Sequence, residues 1–325
     1  RRGGARGARR PRPRTVVPPV TVSIVNACSR DLLLACLESL AREDVDIVVL
    51  DNASEDGSVE AVRDSFPGVR VIPQDRRAGF GANHNTVIRA TSGRYVFVLN
   101  EDTTSADWGF DRMVEYLDAH PEVGALGPRL VYPDGRLQAS AWRLPTPGSS
   151  ALSALTLGKV AVVQSRGTRP RRVGWLTAAA LMLRRRVLDE IGLFDEDFFM
   201  YSEETDLQQR MRRAGYESHW FPDVTVVHHV GQSTAAVPER RINEIWRGRH
   251  LYWRKHHSAF GARAAAVATG AQYAARFGLG AVLGRDATFR ARMRLHARDA
   301  LGVSGPGLRE LAEEWNERVG TAPPR

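Results

Sequence analysis

The chain has 325 residues, of which 43% are hydrophobic and 26% charged, and its formal net charge is +9. These proportions are ordinary for a globular protein, so we predict a sizeable core and one large domain with an appendage. The two cysteines, Cys28 and Cys36, are too few for a disulfide framework and fit a reducing compartment. The sequence has no apolar run of signal-peptide type and no charge-free stretch of about 20 apolar residues. We therefore predict no transmembrane helix and a cytoplasmic location.

Part of the positive charge is concentrated at the start of the chain. Residues 1–14 contain seven arginines and no acid. Such a stretch cannot bury apolar surface, and we predict a disordered tail over residues 1–18. An arm attracted to anionic lipid or polyphosphate is the alternative. Because no nucleic-acid-binding module follows, we expect no nucleic-acid partner.

From Val20 onward, short apolar runs alternate with helical patterns. We predict strands at Val20–Val25, Val45–Leu50, Val69–Ile72 and Tyr95–Leu99, and helices at Asp31–Ala41, Ser58–Phe66 and Ala82–Ala90. This alternation indicates an α/β fold in which helices flank a mostly parallel sheet. Ligands of such sheets bind at the carboxyl ends of the strands, which is where polar residues cluster here.

The second half of the chain is less regular. Residues 127–172 are rich in Gly, Pro and Ser, and Pro145 begins a predicted mobile loop. A second ordered block is predicted to contain a strand at Trp175–Leu183, helices at Arg186–Ile191 and Glu203–Ala214, and a strand at Val224–His229. Residues 239–325 are predicted to form a C-terminal helical extension, so the main domain covers residues 19–238.

Two polar segments follow strands and precede helices. Asp51 begins the sequence Asp-Asn-Ala-Ser-Glu-Asp-Gly-Ser, and an acid in this position can hold a base or ribose through its carboxylate. An ordinary turn with Ser58 as the helix N-cap explains the same residues. In the second segment, Gly79 and Gly81 precede a helix whose N-terminus favours anions. The dinucleotide fingerprint G-x-G-x-x-G is not met, because the third Gly is missing.

Two further segments are acidic. Glu101 and Asp102 follow the strand Tyr95–Leu99, where adjacent acids are costly unless a cation compensates them. A divalent cation that bridges diphosphate oxygens would do so, and an exposed acidic loop is the alternative. Glu203 and Glu204 begin a helix after an aromatic-rich approach, which suits a general base. Acids are also enriched in first helical turns because of the helix dipole, so the pair has a structural interpretation as well.

The last segment, residues 227–233, contains His228 and His229. A histidine leaving a strand can ligate a metal held mainly by carboxylate and phosphate, and a structural His pair is the alternative. Taken in this order, the five segments resemble the family 2 glycosyltransferases of the GT-A fold, and among these the bacterial rhamnosyltransferases. The resemblance extends from about Val20 to Thr234 and implies a GT-A fold with a nucleotide-binding sheet.

The resemblance also implies roles for individual residues. Asp51 would bind the nucleotide base, Asp102 would bind the metal, and His228 would be an auxiliary metal or diphosphate contact. Glu204 would be the catalytic base, and Trp175 would line the acceptor side. The residues expected to complete substrate binding are Asn26, Asn52, Gly79, Phe80, Gly81, Asn85, Asn100 and Glu203. Because consecutive helical side chains diverge by about 100°, we expect only one glutamate of the pair to face the site.

The activity implied by the resemblance is an inverting, metal-dependent sugar transfer from a nucleoside diphosphate, with Mg²⁺ or Mn²⁺ as the cofactor. We predict L-rhamnose transfer from dTDP-L-rhamnose to a glycan or polyprenyl-diphosphate-linked acceptor. A UDP-hexose transferase of the same fold is the main alternative. A non-catalytic nucleotide-sugar or glycan-binding relative and a dinucleotide-dependent oxidoreductase are the alternatives from other classes.

A basic and aromatic segment follows the main domain. Arg240–His257 contains six Arg and Lys residues together with Trp246, Leu251, Tyr252 and Trp253. Basic and aromatic residues on one helix suit a membrane surface, so we expect peripheral contact at the inner face of the plasma membrane. A helix packed on the catalytic domain is the alternative.

Overall fold

The structure is a computed structural model that describes residues 19–157, 162–229, 237–303 and 305–320. The predicted disordered tail, residues 1–18, lies outside these ranges, as does the end of the histidine-containing segment after His229. The statements below concern the described residues.

The first hundred residues form alternating strands and helices. These elements are β1 (Val20–Asn26), α1 (Arg30–Leu40), β2 (Asp46–Asp51), α2 (Ser58–Ser65), β3 (Arg70–Pro73), α3 (Phe80–Arg89) and β4 (Tyr95–Asn100). Each lies within two residues of its predicted bounds. Every residue of β1 is buried, and α1 buries Leu33, Cys36, Leu37 and Leu40 on one face against the sheet. The apolar periodicity of the sequence therefore determined both kinds of element.

The middle of the chain contributes shorter strands. They and their helices are β5 (Thr103–Thr104), α4 (Phe110–Ala119), β6 (Val123–Val131), β7 (Ala141–Trp142), α5 (Pro147–Leu155), β8 (Arg171–Val173), β9 (Trp175–Leu176), β10 (Ala180–Arg184), α6 (Arg185–Ile191), α7 (Glu203–Arg213) and β11 (Glu217–His228). Four helices follow: α8 (Pro238–His256), α9 (Ala259–Val282), α10 (Ala287–Asp299) and α11 (Leu308–Gly320).

The central sheet has the order β3-β2-β1-β4-β10-β6-β11-β5, and β8 pairs with β11. Strands β1 to β4 are parallel, β10 is antiparallel to both β4 and β6, and β11 is parallel to β6. Most strands therefore point the same way, as predicted, and helices flank them. The carboxyl ends of β1, β2 and β4 meet at one edge, where the site lies.

Three local predictions were wrong. The predicted strand Trp175–Leu183 is two strands, because residues 177–179 between β9 and β10 leave the sheet. The predicted mobile loop after Pro145 is helix α5, whose Thr146 forms a capping box with Ser149. The N-cap of α2 is Gly57 rather than Ser58, and Asp56 accepts the Ser58 backbone N–H at 3.2 Å instead.

The aromatic residues of α8 are buried in a hydrophobic core that α8 forms with α9 and α10, apart from the core of the sheet. Trp246, Tyr252 and Trp253 are at most 4% exposed. These rings are not available to a membrane, and the packing alternative describes α8. Asp206 of α7 accepts hydrogen bonds from His256 at 2.7 Å and Arg210 at 2.8 Å, so it joins α7 to α8. Every helix in the described ranges is too short or too polar to cross a bilayer.

Candidate active site

A cavity of about 290 Å³ opens where β1, β2 and β4 end and α7 begins. Its lining residues are Val25, Ala27, Asn52, Ala78, Phe80, Asn83, Asn100, Glu101, Asp102, Gln138, Thr177, Ala178, Ala179, Met200, Tyr201, Glu203, Glu204, His228 and Arg241. The lining combines four carboxylates, a histidine and an arginine with apolar and amide side chains. Small-molecule sites are typically concave and contain a few convergent polar groups of this kind.

One wall of the cavity brings Asp102 and His228 together. The short strand β5 pairs with the end of β11, and the His229 N–H donates to the Asp102 carbonyl at 2.9 Å. This pairing places His228 Nε2 3.2 Å from Asp102 Oδ1. The Asp102 side chain is buried, and its Oδ1 has no hydrogen-bond partner among the described residues. The amide of Gln138 contacts the other ring nitrogen of His228 at 3.1 Å, which fixes the ring.

These groups fit a divalent cation. A carboxylate oxygen and an imidazole nitrogen, 3.2 Å apart in Asp102 and His228, are ligand atoms that a divalent cation such as Mn²⁺ would accept. Burial and the charge of Asp102 raise the pKa of Glu101 to about 7, as expected where negative charge lacks a counterion. No three His, Cys, Asp or Glu side chains converge as metal ligands within the described ranges. Phosphate oxygens of a substrate would have to complete the coordination.

The opposite wall is formed by the start of α7. Tyr201 and Ser202 both have positive φ, 68° and 76°, so the chain turns sharply just before Glu203 and Glu204. Non-glycine residues rarely adopt this conformation, and they cluster at functional sites. Both glutamates line the cavity, and Oε2 of each is buried and has no hydrogen-bond partner in the part of the chain that the structure describes. The expectation that only one faces the site is wrong, because both are among the lining residues.

Glu203 and Glu204 differ from each other in electrostatic environment. Burial raises the pKa of Glu203 well above its ordinary value, and the charges of Glu204 and Glu244 raise it further. Burial also raises the pKa of Glu204, but the positive charge of Arg249 opposes that shift. Glu204 is therefore the carboxylate of the pair that ionises at the lower pH, so it is the more available as an anion to act as a base.

The Asp51 motif holds the turn beside the cavity. Asp51 is 2% exposed, and its two carboxylate oxygens accept hydrogen bonds from Asn26 Nδ2 at 2.8 Å and the Ser54 N–H at 2.9 Å. Neither Asp51 nor Asn26 is among the lining residues. Asn52 lines the cavity and exchanges two hydrogen bonds with the backbone of Ala78. The structure thus places Asn52 in the lining of the cavity and Asp51 in the turn behind it.

The glycine-rich turn packs against the segment that leads to α7. A Cβ on Gly79 would lie 2.5 Å from the Phe199 carbonyl oxygen, and one on Gly81 would lie 2.9 Å from Phe194 Cβ. Asn85 is buried and bonds to both the N–H and the carbonyl of Phe194. The two glycines and Asn85 therefore position the site.

The ligand-facing residues of this turn are Phe80 and Asn83. Phe80 was predicted from the sequence, whereas Asn83 was not. Both side chains line the cavity from the first turn of α3. The glycines of the same turn allow the close packing that forms this cavity.

Two lining residues carry no recognisable local signal in the sequence. Gln138 follows β6 in an irregular segment and reaches the site through His228. Arg241 belongs to the basic segment that the sequence interpretation assigned to a membrane surface. It lines the cavity, and its guanidinium lies 6.0 Å from the centre of the Tyr201 ring. Its Nε is buried and has no hydrogen-bond partner within the described ranges. A guanidinium in this position suits a phosphate ligand.

Trp175 lies outside this cavity. Its ring stacks on Trp142, with 4.5 Å between the ring centres, in a second cavity between the sheet and the C-terminal helices. The predicted site residues thus divide into three groups. The first group lines the cavity that contains Asp102: Asn52, Phe80, Asn100, Asp102, Glu203, Glu204 and His228. The second group supports the walls of that cavity: Asn26, Asp51, Gly79, Gly81 and Asn85. The third is Trp175 alone, which lines the second cavity.

Known proteins with similar sequences include a rhamnosyltransferase and an O-antigen biosynthesis protein. An N-acetylglucosaminyl-diphospho-decaprenol L-rhamnosyltransferase of Mycobacterium tuberculosis is 29% identical over 265 residues, covering 75% of this chain and 86% of that protein. The O-antigen biosynthesis protein RfbC of Myxococcus xanthus is 25% identical over 234 residues, covering 68% of this chain and 18% of its own length.

Solved structures show the same fold. The mannosyltransferase PcManGT from Pyrobaculum calidifontis, in complex with GDP-Man and Mn²⁺, superposes with a TM-score of 0.54 at 19% identity, covering 94% of this chain and 85% of that one. The structure of GalNAc-T7 with UDP, GalNAc and Mn²⁺ superposes with a TM-score of 0.53 at 16% identity, covering 95% of this chain and 58% of that one. These are GT-A glycosyltransferases, so the predicted GT-A fold is confirmed.

The sequence family agrees with the fold. Residues 20–192, more than half of the chain, match glycosyl transferase family 2. The chain belongs to glycosyl transferase family 2.

Proposed function

We propose that this protein is a metal-dependent, inverting glycosyltransferase that moves L-rhamnose from dTDP-L-rhamnose to a polyprenyl-diphosphate-linked acceptor in cell-envelope glycan synthesis. The observation that carries the proposal is the single cavity in which Asp102 and His228 face Glu203 and Glu204. Family membership supports sugar transfer. The relative from M. tuberculosis supports the choice of sugar and acceptor.

The donor side of the reaction uses Asp102, His228 and Arg241. Mg²⁺ or Mn²⁺ bound by Asp102 and His228 would neutralise charge on the departing diphosphate. Arg241, whose Nε has no partner among the residues that the structure describes, would donate hydrogen bonds to the same phosphates. Asn52 and Phe80 line the part of the cavity beside β1 and β2, where the nucleoside would bind.

The acceptor side uses Glu204. A hydroxyl is a poor nucleophile until its proton is accepted, so Glu204 would take the proton as the acceptor oxygen attacks the anomeric carbon. The new carbon–oxygen bond forms as the bond to the diphosphate oxygen breaks, and the diphosphate leaves with the electron pair. Attack from the face opposite the leaving group inverts the configuration at that carbon.

Donor screening tests this proposal. The purified protein would be incubated with a polyprenyl-diphosphate-linked N-acetylglucosamine and, in turn, with dTDP-L-rhamnose, UDP-glucose, UDP-galactose or UDP-N-acetylglucosamine. Released nucleotide and the anomeric configuration of the product would be measured. We expect release and inverted product with dTDP-L-rhamnose. Preferential use of a UDP-sugar would replace the donor assignment, and binding of all donors without transfer would identify a binding protein.

We also propose that the protein contacts an anionic membrane through α9. Phe260, Val267 and Val282 are 85%, 49% and 84% exposed, and their spacing places them within about 60° of one another around the helix. Residues 259–299 contain seven Arg and two Asp, which complements an anionic surface. A lipid-linked acceptor requires that the enzyme work at such a surface. This assignment moves the expected membrane contact from α8 to α9.

A further inference from the structure

A second cavity, of about 380 Å³, lies between the β7–β9 pair and helices α5, α8, α9 and α10. It is separate from the cavity that contains Asp102. Aromatic rings and arginines make up much of its lining, including Trp142, Trp175, Trp246, Tyr273, Arg249 and Arg276. A cavity with this lining suits a ligand that has both an anionic group and a ring with an apolar face.

Arg249 is the feature of this cavity that most needs a ligand. Its burial lowers the pKa of the guanidinium, and the negative charge of Glu204 offsets that shift only in part. Burying a charge that is only partly compensated is costly. An anion bound in the cavity would remove that cost. Arg276 lines the same cavity, with its guanidinium 5.5 Å from the centre of the Tyr273 ring.

The aromatic part of the lining is rigid. Trp142 and Trp175 belong to the paired strands β7 and β9, and their rings are stacked at an interplanar angle of 22°. The Trp175 Nε1–H donates to the Arg143 carbonyl at 3.2 Å, and Trp246 Nε1–H donates to His296 at 3.0 Å. Because these indoles are held in place, they offer fixed apolar surfaces on which the C–H face of a sugar ring can pack.

Glu204 of the first cavity lies near Arg249 of the second. Glu204 lines the first cavity, Arg249 lines the second, and the two charges are close enough to shift each other's pKa. Helix α8 contributes Arg241 to the first cavity and Arg249 to the second, eight residues or about 12 Å farther along the helix. One helix therefore presents an arginine to each cavity. Two diphosphates in a transfer complex, separated by the donor and acceptor sugars, would match this arrangement.

We propose that the second cavity binds the acceptor as a sugar diphosphate, with Arg249 and Arg276 on the diphosphate and Trp142 and Trp175 on the sugar. The proposal rests on the proposed function, because it assigns the acceptor side of that reaction. It assigns Trp175, which does not line the first cavity, to binding of the acceptor sugar. The alternative source of a diphosphate is the donor nucleotide, and the experiment separates the two.

The test uses Arg249→Met and Arg276→Met, which keep much of each aliphatic stem, and Arg263→Met as the matched control. Arg263 also lies on α9, but it is exposed and outside the cavity. Calorimetry without donor would measure binding of N-acetylglucosaminyl diphosphate on a short prenyl chain, and of a neutral alkyl glycoside of the same sugar. Binding of dTDP would be measured in parallel.

We expect the two cavity variants to weaken binding of the diphosphate acceptor about 10- to 100-fold, the usual effect of losing hydrogen bonds to a charged group. Binding of the neutral glycoside and of dTDP should change little, and Arg263→Met should resemble the wild type. Equal losses for both acceptors, or weakened dTDP binding alone, would overturn the assignment. If the arginines hold the diphosphate acceptor but no donor supports transfer, the proposed function fails while the binding site stands.

Discussion

His228 Nε2 lies 3.2 Å from the buried Oδ1 of Asp102, which has no hydrogen-bond partner among the described residues. This geometry predicts that both side chains bind a divalent cation. Chelation should abolish transfer, and Mg²⁺ or Mn²⁺ should restore it. Asp102→Ala should lose most activity, and His228→Ala should raise the metal concentration required for half-maximal rate at least about 10-fold.

The neighbouring histidine supplies the control for the metal experiment. His229 contacts Asp102 through its backbone, and its side chain does not line the cavity. His229→Ala should therefore keep the metal dependence of the wild type. Thermal unfolding of all three variants would establish that they are folded. Full activity in excess chelator would remove the cation from the mechanism.

Glu204 is predicted to be the base. Glu204→Gln preserves shape but cannot accept the proton, so kcat should fall by roughly 10²–10⁴ while donor binding is retained. Glu203→Gln should have a smaller effect. Single-turnover transfer measured beside calorimetric donor binding checks both variants. Near-wild-type turnover by Glu204→Gln, together with a collapse in Glu203→Gln, would show that the other carboxylate is the base.

Glu203 is predicted to make folding depend on pH. Its burial, with Glu204 and Glu244 nearby, raises its pKa in the folded protein above the ordinary value of 4.5. The folded state therefore holds this proton more tightly than the unfolded state, and stability decreases as pH rises above about 4.5. Glu203→Gln should raise Tm at pH 8 and have less effect at pH 4. Glu115→Gln, an exposed change on α4, is the control. Equal effects at both pH values would contradict the linkage.

The first half of the fold could be predicted because its strands are buried apolar runs and its helices have clear apolar faces. Much of the site followed from the same pattern, since Asp102 and His228 leave strands and Glu204 begins a helix. Gln138 and Arg241 could not be predicted, because their positions depend on contacts between distant segments. The Asp51 motif was recognised, but its hydrogen bonds to Asn26 and Ser54 could not be predicted, because a strand-end acid can hold the turn as well as bind a ligand.

Gly248 of α8 is predicted to be essential for the shape of the site. A Cβ at this position would overlap the Tyr201 carbonyl oxygen, in the turn that precedes the two glutamates. Gly248→Ala should therefore destabilise the protein by about 1–3 kcal/mol and reduce kcat. Gly278→Ala is the matched control in α9, because nothing lies within 4 Å of its added Cβ. Gly278→Ala should raise the free energy of unfolding by roughly 0.5–1 kcal/mol. Equal stability of the two variants would contradict the close packing.

The exposed apolar residues of α9 are predicted to contact a membrane. Phe260 and Val282 are 22 residues apart in the helix, so contact at both would lay α9 along the surface over about 33 Å. Each basic residue near an anionic surface contributes about 1 kcal/mol, so binding should weaken as salt rises. The wild type should therefore sediment with phosphatidylglycerol vesicles at low salt and much less with phosphatidylcholine vesicles.

Substitutions in the vesicle experiment compare exposed apolar residues on α9 with an exposed apolar residue elsewhere on the surface. Phe260→Ser with Val282→Ser should lower the bound fraction, because two side chains that would be buried in the interface are lost. Leu137→Ser is the matched control, since Leu137 is 47% exposed but lies between β6 and β7. It should bind like the wild type. No sedimentation at low salt, or equal losses in both variants, would mean that the exposed face of α9 does not contact lipid and that another surface brings the enzyme to its acceptor.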